Sequence, residues 1–200
     1  MQVHPDLYGD NKTRMMIMWH VNSKGAQRGC YNLLCKGFVQ VDKSVPVDTI
    51  LPHCVYDGLP TELGLKIHQD QPTKNWWVTI LRFNINLGYW PGALFPGLTQ
   101  GATKAGFYGY TQAPAKGMGS PPLSPPMGFG KFPDRNFGHS GYFANMQIIN
   151  EDNKLVGLED KSWKEFSDNP MCYRVKYYGY EGPVNGYVLE YGGPGGNCTP

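Results

Sequence analysis

The chain has 200 residues, a formal net charge of +2, and only 17% Asp, Glu, Lys and Arg. That length suits one domain over 1–200 with room for a real core. No basic stripe is present, which removes the electrostatic footprint of nucleic-acid binding, and apolar runs such as Met15–Trp19 fall far short of the roughly 20 residues that cross a membrane.

Met1 opens no signal peptide, because Gln2, His4 and Asp6 interrupt any apolar stretch. The chain therefore reads as a mature or trimmed form, or as an intracellular protein. Gly, Pro and Tyr number 26, 17 and 13; they end helices, make turns or favour strands. An all-β fold is expected. Met15–Trp19 reads as a strand buried on both faces, because the apolar run is continuous. Cys30 and Cys35 then enclose Tyr31–Leu34, and read as a tight covalent loop. Phe38–Val41 is a second continuous run. Leu63, Leu65 and Ile67 alternate with Gly64, Lys66 and His68, the period of a strand with one buried face. Trp76–Leu81 is a third buried run. Pro91–Leu98 reads as a turn after Gly88-Tyr89-Trp90.

Gln112–Gly128 differs in kind, with Pro114, Pro121, Pro122, Pro125 and Pro126 among Gly117, Gly119 and Gly128. This 112–128 segment reads as a surface loop, or as a lid over a cleft. Ala144, Met146 and Ile148 alternate with Asn145, Gln147 and Ile149. Asp160–Phe166 is the best candidate for a turn or two of helix, capped by Asp160. Tyr173, Val175 and Tyr177 alternate with Arg174, Lys176 and Tyr178, and Tyr187–Tyr191 closes the set. Tyr8-Gly9-Asp10, Asp57-Gly58, Asp70-Gln71-Pro72 and Gly182-Pro183 supply turns between them. About seven to nine strands result, which suits an antiparallel β-sandwich with long loops.

Five cysteines cannot all pair within one chain. Cys30–Cys35 reads as one bridge and Cys172–Cys198 as a clasp on the C-terminal segment. Cys54 is left as a single thiol, either a small buried apolar residue or a reactive group beside His53. No Cys-x-x-Cys occurs, and His4, His20, His53, His68 and His139 lack ligand spacing, so no metal is expected. His-Glu-x-x-His, Gly-x-Ser-x-Gly and the P-loop are missing. Gly192-Gly193-Pro194-Gly195-Gly196 has no helix after it and reads as a turn leading to Cys198. No cofactor is expected. Asn11-Lys12-Thr13 and Asn197-Cys198-Thr199 are glycosylation sequons at Asn11 and Asn197. With disulfide-type cysteines they point to the secretory pathway.

Pro5-Asp6-Leu7-Tyr8-Gly9-Asp10-Asn11-Lys12-Thr13-Arg14 and Gly29-Cys30-Tyr31-Asn32-Leu33-Leu34-Cys35-Lys36-Gly37-Phe38 together form a recognisable pattern. Lys74-Asn75-Trp76-Trp77-Val78, Leu87-Gly88-Tyr89-Trp90-Pro91, Pro126-Met127-Gly128-Phe129-Gly130, Ser140-Gly141-Tyr142-Phe143 and Tyr191-Gly192-Gly193-Pro194-Gly195 follow in order. Along essentially the whole chain, the sequence resembles the neprosin domain of plants, a family of secreted glutamic peptidases that cut near proline. The resemblance implies an antiparallel β-sandwich with a long cleft for an extended peptide. Both proposed cysteine pairs fall where the family places its disulfides.

In that family the first catalytic glutamate lies in a Glu-Ala-Gly-Trp-Gln-Val segment, and the match here begins just after it, at Met1-Gln2-Val3. The second lies in a Trp-Gly-Gly-Glu-Val-like segment. Phe107-Tyr108-Gly109-Tyr110-Thr111 matches that stretch, with Tyr110 at the glutamate position. Two carboxylates that activate a water need tuned acid and base roles, each contributing roughly 10²–10⁴-fold. A phenol with a pKa of about 10 does not replace a carboxylate in acid. Glu62, Asp134 and Glu190 are the other carboxylates to weigh. Glu190, in an otherwise apolar strand, reads as solvent-facing or as directed into a cleft.

Three functions follow from this reading. The first is a non-catalytic relative that binds a peptide or carbohydrate on Trp76, Trp77, Trp90, Phe107, Tyr108 and Tyr110; stacked rings suit apolar and sugar faces, although sandwich cores also use such rings. The second is an active acid endopeptidase. The third is a structural or self-assembling protein, a homo-oligomer built on an open sheet edge.

Overall fold

The computed structural model describes residues 2–23, 26–112, 123–158 and 163–198. Of the helical turn expected over Asp160–Phe166, residues 160–162 lie outside the described residues, as do residues 113–122, most of the 112–128 loop; Trp163–Phe166 form no helix, which corrects that part of the expectation. The chain divides into two compact units. Unit 1 takes Met1–His53 and Thr61–Ala105; unit 2 takes Cys54–Pro60 and Gly106–Pro200.

Unit 1 begins with a one-turn helix, α1 (Pro5–Tyr8), that ends at Gly9 in the left-handed conformation. Strands β1 (Met18–Ser23) and β2 (Ala26–Tyr31) form an antiparallel pair. A four-stranded antiparallel sheet follows in the order β3 (Val39–Gln40), β6 (Ile85–Trp90), β5 (Trp76–Ile80) and β4 (Leu65–Gln69). The core gathers Met15, Ile17, Trp19, Cys30, Phe38, Val47, Val78, Ile80, Leu87 and Trp90. Asn32 sits at φ 49° and is buried where the chain leaves β2. Its N–H donates to the Ile17 carbonyl at 2.7 Å, and its side chain accepts from the Ile17 N–H at 3.0 Å. Asparagine tolerates that backbone better than most residues, and the bonds fix the Cys30–Cys35 loop against the first apolar run. The cystine itself is formed.

Register explains which faces are buried. A bulge at Val78/Thr79 inserts Leu87 as an extra residue on β6, where it is fully buried. Gly88 follows because a Cβ there would sit 2.2 Å from the Val39 carbonyl and 2.8 Å from the Phe38 ring. Val78, Thr79 and Ile80 are all buried, as expected of a strand covered on both faces, whereas Leu81 at the end of that run is exposed. Three other expectations need correction. Phe38 is buried but Val39 and Val41 are exposed, so the Phe38–Val41 run is not covered on both faces. Met15, Ile17 and Trp19 are buried but Met18 is exposed, so that run has one buried face rather than two. In β4, Leu65 and Ile67 are exposed and Lys66 and His68 half-buried. They share a face with Ile80 and Val78, but β4 is the sheet edge, so the apolar side of the alternation runs past its cover.

Unit 2 is built on a three-stranded antiparallel sheet, β10 (Arg174–Tyr180), β11 (Tyr187–Gly192) and β7 (Gly141–Phe143), with β11 in the middle. A one-turn helix, α2 (Gly182–Asn185), joins β10 to β11. Short strands β8 (Ile148–Ile149) and β9 (Leu155–Val156) pair with each other as a separate antiparallel ribbon. Met146, Leu158 and Leu189 form the core, with Phe107, Phe143, Trp163, Val175, Tyr177, Tyr187 and Tyr191 packed around them. The alternation expected from Tyr173 to Tyr178 holds as far as Tyr177, with Arg174 and Lys176 outward and Val175 and Tyr177 against the core, whereas Tyr178 is half-buried. Cys172–Cys198 ties the entry of β10 to the segment beyond β11. Both pairings read from the sequence are therefore present. All four sheets are antiparallel and helix is confined to single turns among the described residues. The fold is all-β. No described helix is long and apolar enough to cross a membrane.

Candidate functional site

The six aromatic residues singled out in the sequence fall into different environments. Trp90 is 8% exposed and meets Phe38 edge to face at 5.2 Å. Trp76 lies directly across from it and packs on the same core. Both rings are committed to packing, and their indole N–H groups are buried without a hydrogen-bond partner among the described residues. Trp77 points to the opposite side of the sheet, because side chains alternate along β5. Its ring lies 4.8 Å from Tyr89, its cross-strand neighbour, and His68 stands across from it on β4. Burial, and then Lys66, hold the His68 imidazole below its usual pKa. Trp77, Tyr89 and neutral His68 thus form a half-buried row on one face of unit 1.

In unit 2, Phe107 packs into the core, 5.3 Å from Phe143 and 6.0 Å from Trp163. Gly109 faces the same way. A Cβ there would lie 2.4 Å from the Met127 sulfur and 2.4 Å from the Tyr191 ring, so only glycine lets this segment lie flat. Tyr108 and Tyr110 alternate with these residues and face outward, each 69% exposed. The Tyr110 hydroxyl reaches Gln112 Oε1 at 3.5 Å. Two open phenol rings, two residues apart on one side of a chain segment, are what this stretch offers a ligand.

Glu190 is neither solvent-facing nor open to a cleft; it is fully buried at the centre of β11. Its Oε2 accepts from the Asp134 N–H at 3.0 Å, the Arg135 N–H at 2.9 Å and the Tyr178 hydroxyl at 3.0 Å. Oε1 has no hydrogen-bond partner among the described residues. The bulge between Tyr177 and Gly179 on β10 swings Tyr178 into this arrangement. Burial, then Glu190, push the Tyr178 phenol up to about 12. The Arg135 guanidinium lies 4.9 Å over the Tyr178 ring and 3.4 Å from Glu181. A carboxylate so enclosed holds a loop and does not meet a substrate. The sequence signal was a lone acid in an apolar strand. It marked the right residue and gave no sign of its cover.

The 134–139 loop carries a further cluster. His139 Nδ1 lies 2.8 Å from Asp134 Oδ2, and Nε2 lies 3.3 Å from Asp57 Oδ1. The Tyr56 ring stacks on the imidazole at 4.7 Å. Nothing in the spacing of five scattered histidines reveals this, because Asp57 and His139 are far apart in sequence. Among the described residues, no group of three or more His, Cys, Asp or Glu side chains is placed to hold a metal ion. Glu62 is exposed, as are Asn11 and Asn197. Cys54 is half-buried and in neither disulfide. A family model described as Neprosin matches residues 1–194.

Proposed function

Because the chain belongs to the neprosin family, we propose that it is a secreted plant relative of its glutamic peptidases with impaired catalysis. On this reading it binds a peptide or a cell-wall carbohydrate through aromatic side chains, and carries glycans at exposed Asn11 and Asn197. The observation that carries the reading is Tyr110. It stands where the resemblance puts the second catalytic glutamate, exposed to solvent and beside Tyr108. A phenol there removes a general acid–base role worth roughly 10²–10⁴-fold. Glu190 offers no replacement, since it is buried and already accepts three hydrogen bonds.

The test is a digest of a denatured proline-rich substrate from acid to neutral pH, beside an active relative, with fragments mapped by mass spectrometry. No prolyl cleavage is expected from this chain. Cleavage after proline would overturn the reading. Binding is checked with soluble cell-wall oligosaccharides and proline-rich peptides. Tyr108→Ala and Tyr110→Ala each remove an exposed ring, worth about 0.5–1.5 kcal/mol when it stacks on a ligand. Each should weaken binding about 2- to 12-fold without changing stability. Unchanged affinity in both variants would exclude the tyrosine pair as the binding surface.

A further inference from the structure

Residues 54–60 have no strand or helix of their own, and their contacts with the 134–139 loop centre on one histidine. The Asp57 N–H donates to the Gly138 carbonyl at 2.9 Å. Gly138 fits closely, since a Cβ on it would lie 3.0 Å from the Asp57 Cα. Beyond this backbone bond, the attachments include the His139 ring and its neighbour Asn136, and the Phe129 ring, which meets Tyr56 edge to face at 5.8 Å. Tyr56 stacks on the ring, with planes 5° apart. Asp57 Oδ1 lies 3.3 Å from Nε2.

The base of the arrangement is fixed. Glu190 Oε2 holds the Asp134 and Arg135 N–H groups, and Asp134 Oδ2 in turn sits on His139 Nδ1. Nδ1 therefore carries a proton in either charge state, and the choice falls on Nε2. Two groups compete for it. One is the Asp57 carboxylate, which needs Nε2 to donate. The other is the Asn136 side-chain amide, 3.1 Å away, which needs Nε2 to accept. The orientation of that amide is set, because its oxygen already takes the Gly138 N–H at 2.9 Å. Asn136 Nδ2 also lies 3.4 Å from Asp57 Oδ1, so it has a second acceptor when the ring is charged. The titratable and charged groups facing the ring are Asp134 on its own loop, and Asp57 and Tyr56 from 54–60.

We propose that His139 is a proton-operated latch on residues 54–60: the imidazolium grips Asp57, and the neutral ring turns Nε2 over to Asn136 and lets Asp57 go. The direction follows from the charges. Asp134, with Asp57 behind it, raises the pKa of His139 above its usual value. The latch is thus fully closed below about 6.5, the ordinary histidine value, for as long as Asp57 stays a carboxylate. It opens as pH rises through the raised value. Chloride or phosphate at high ionic strength weakens it, because Asp57 is 68% exposed.

The experiment follows two signals by NMR on the intact protein. One is the His139 Cε1 proton; the other is the Asp57 amide, through its exchange corrected for the intrinsic rate. The ring should titrate above about 6.5. The Asp57 amide should lose protection across that same titration, about tenfold for each unit separating closed and open values. Asp57→Asn should remove the pH dependence of protection and lower the histidine value. Asp134→Asn should lower the histidine value as well. A wild-type ring titrating at or below its ordinary value would overturn the latch, whatever the variants do. So would Asp57 protection that stays constant across the ring's titration.

Discussion

Glu190→Ala should lower unfolding stability by about 3 kcal/mol. The substitution strands the Asp134 and Arg135 N–H groups and the Tyr178 hydroxyl, and an unmet buried donor costs about 1–3 kcal/mol. Two terms work against that sum. Removing the charge relieves the desolvation of a fully buried carboxylate, and a water entering the space can satisfy part of the set. The balance still falls on the side of loss, because removing two carbons and both carboxylate oxygens also leaves a cavity. Glu190→Gln keeps an acceptor oxygen in the same shape and should cost only about 1 kcal/mol. Urea denaturation midpoints, at unchanged m-value, measure both. An alanine variant as stable as the parent would mean that Glu190 holds nothing.

The same variants have an alkaline signature. Tyr178 is pushed up to about 12, with burial the first cause and Glu190 the second. The fold thus prefers the neutral phenol. Its contribution to stability is complete below about 10, the unfolded value, and is lost as pH climbs through the folded one. In Glu190→Gln the repulsion between phenolate and carboxylate is gone, so the Tyr178 ionisation should move down towards about 10. An ultraviolet difference titration against Tyr178→Phe isolates that single ring. An unmoved titration would assign the whole shift to burial.

These residues also mark where sequence reading succeeds and where it stops. All-β character was legible because Gly, Pro and Tyr are abundant and the apolar period is two. The two disulfides were legible because the close spacing of Cys30 and Cys35 suggests one bridge and the family resemblance supports both. Burial was less legible. Leu65 and Ile67 have the right period and yet are exposed, because a period does not say whether a strand lies at the edge. Glu190 stood out by composition, but its cover is a loop more than 50 residues away in sequence. Trp76 and Trp90 could equally have been core or surface rings; the register across β5 and β6 decides for the core. His139 was one of five scattered histidines, and its partner Asp57 arrives only through the fold. Local chemistry is written locally, whereas clusters assembled from distant segments are not.

Opening the Cys172–Cys198 disulfide, as Cys172→Ala/Cys198→Ala, should cost about 3.5 kcal/mol, and opening Cys30–Cys35 about 2 kcal/mol. The difference comes from loop length. The first bridge joins residues 26 apart and the second residues 5 apart, and a longer closed loop removes more freedom from the unfolded chain. Native contacts reinforce that order. Cys172 is buried at the entry to β10. Its carbonyl would lie 2.0 Å from a Cβ on Gly193, so the chain leaving β11 is pressed directly against it. The Asn169 side chain donates to the Cys198 carbonyl at 2.8 Å, which anchors the far end. Cys30–Cys35 instead closes a loop that Asn32 already fixes through both Ile17 bonds, so part of its order survives reduction. The two bridges lie in different units, and their losses should add within about 0.5 kcal/mol. The sum, about 5.5 kcal/mol, rivals the whole stability of a marginal domain. Urea titrations of both double variants and the quadruple variant test this. A larger loss from Cys30–Cys35 would show that native strain or residual unfolded structure, and not loop closure, governs these cystines. A quadruple variant that still folds cooperatively would place most of the stability in the two cores.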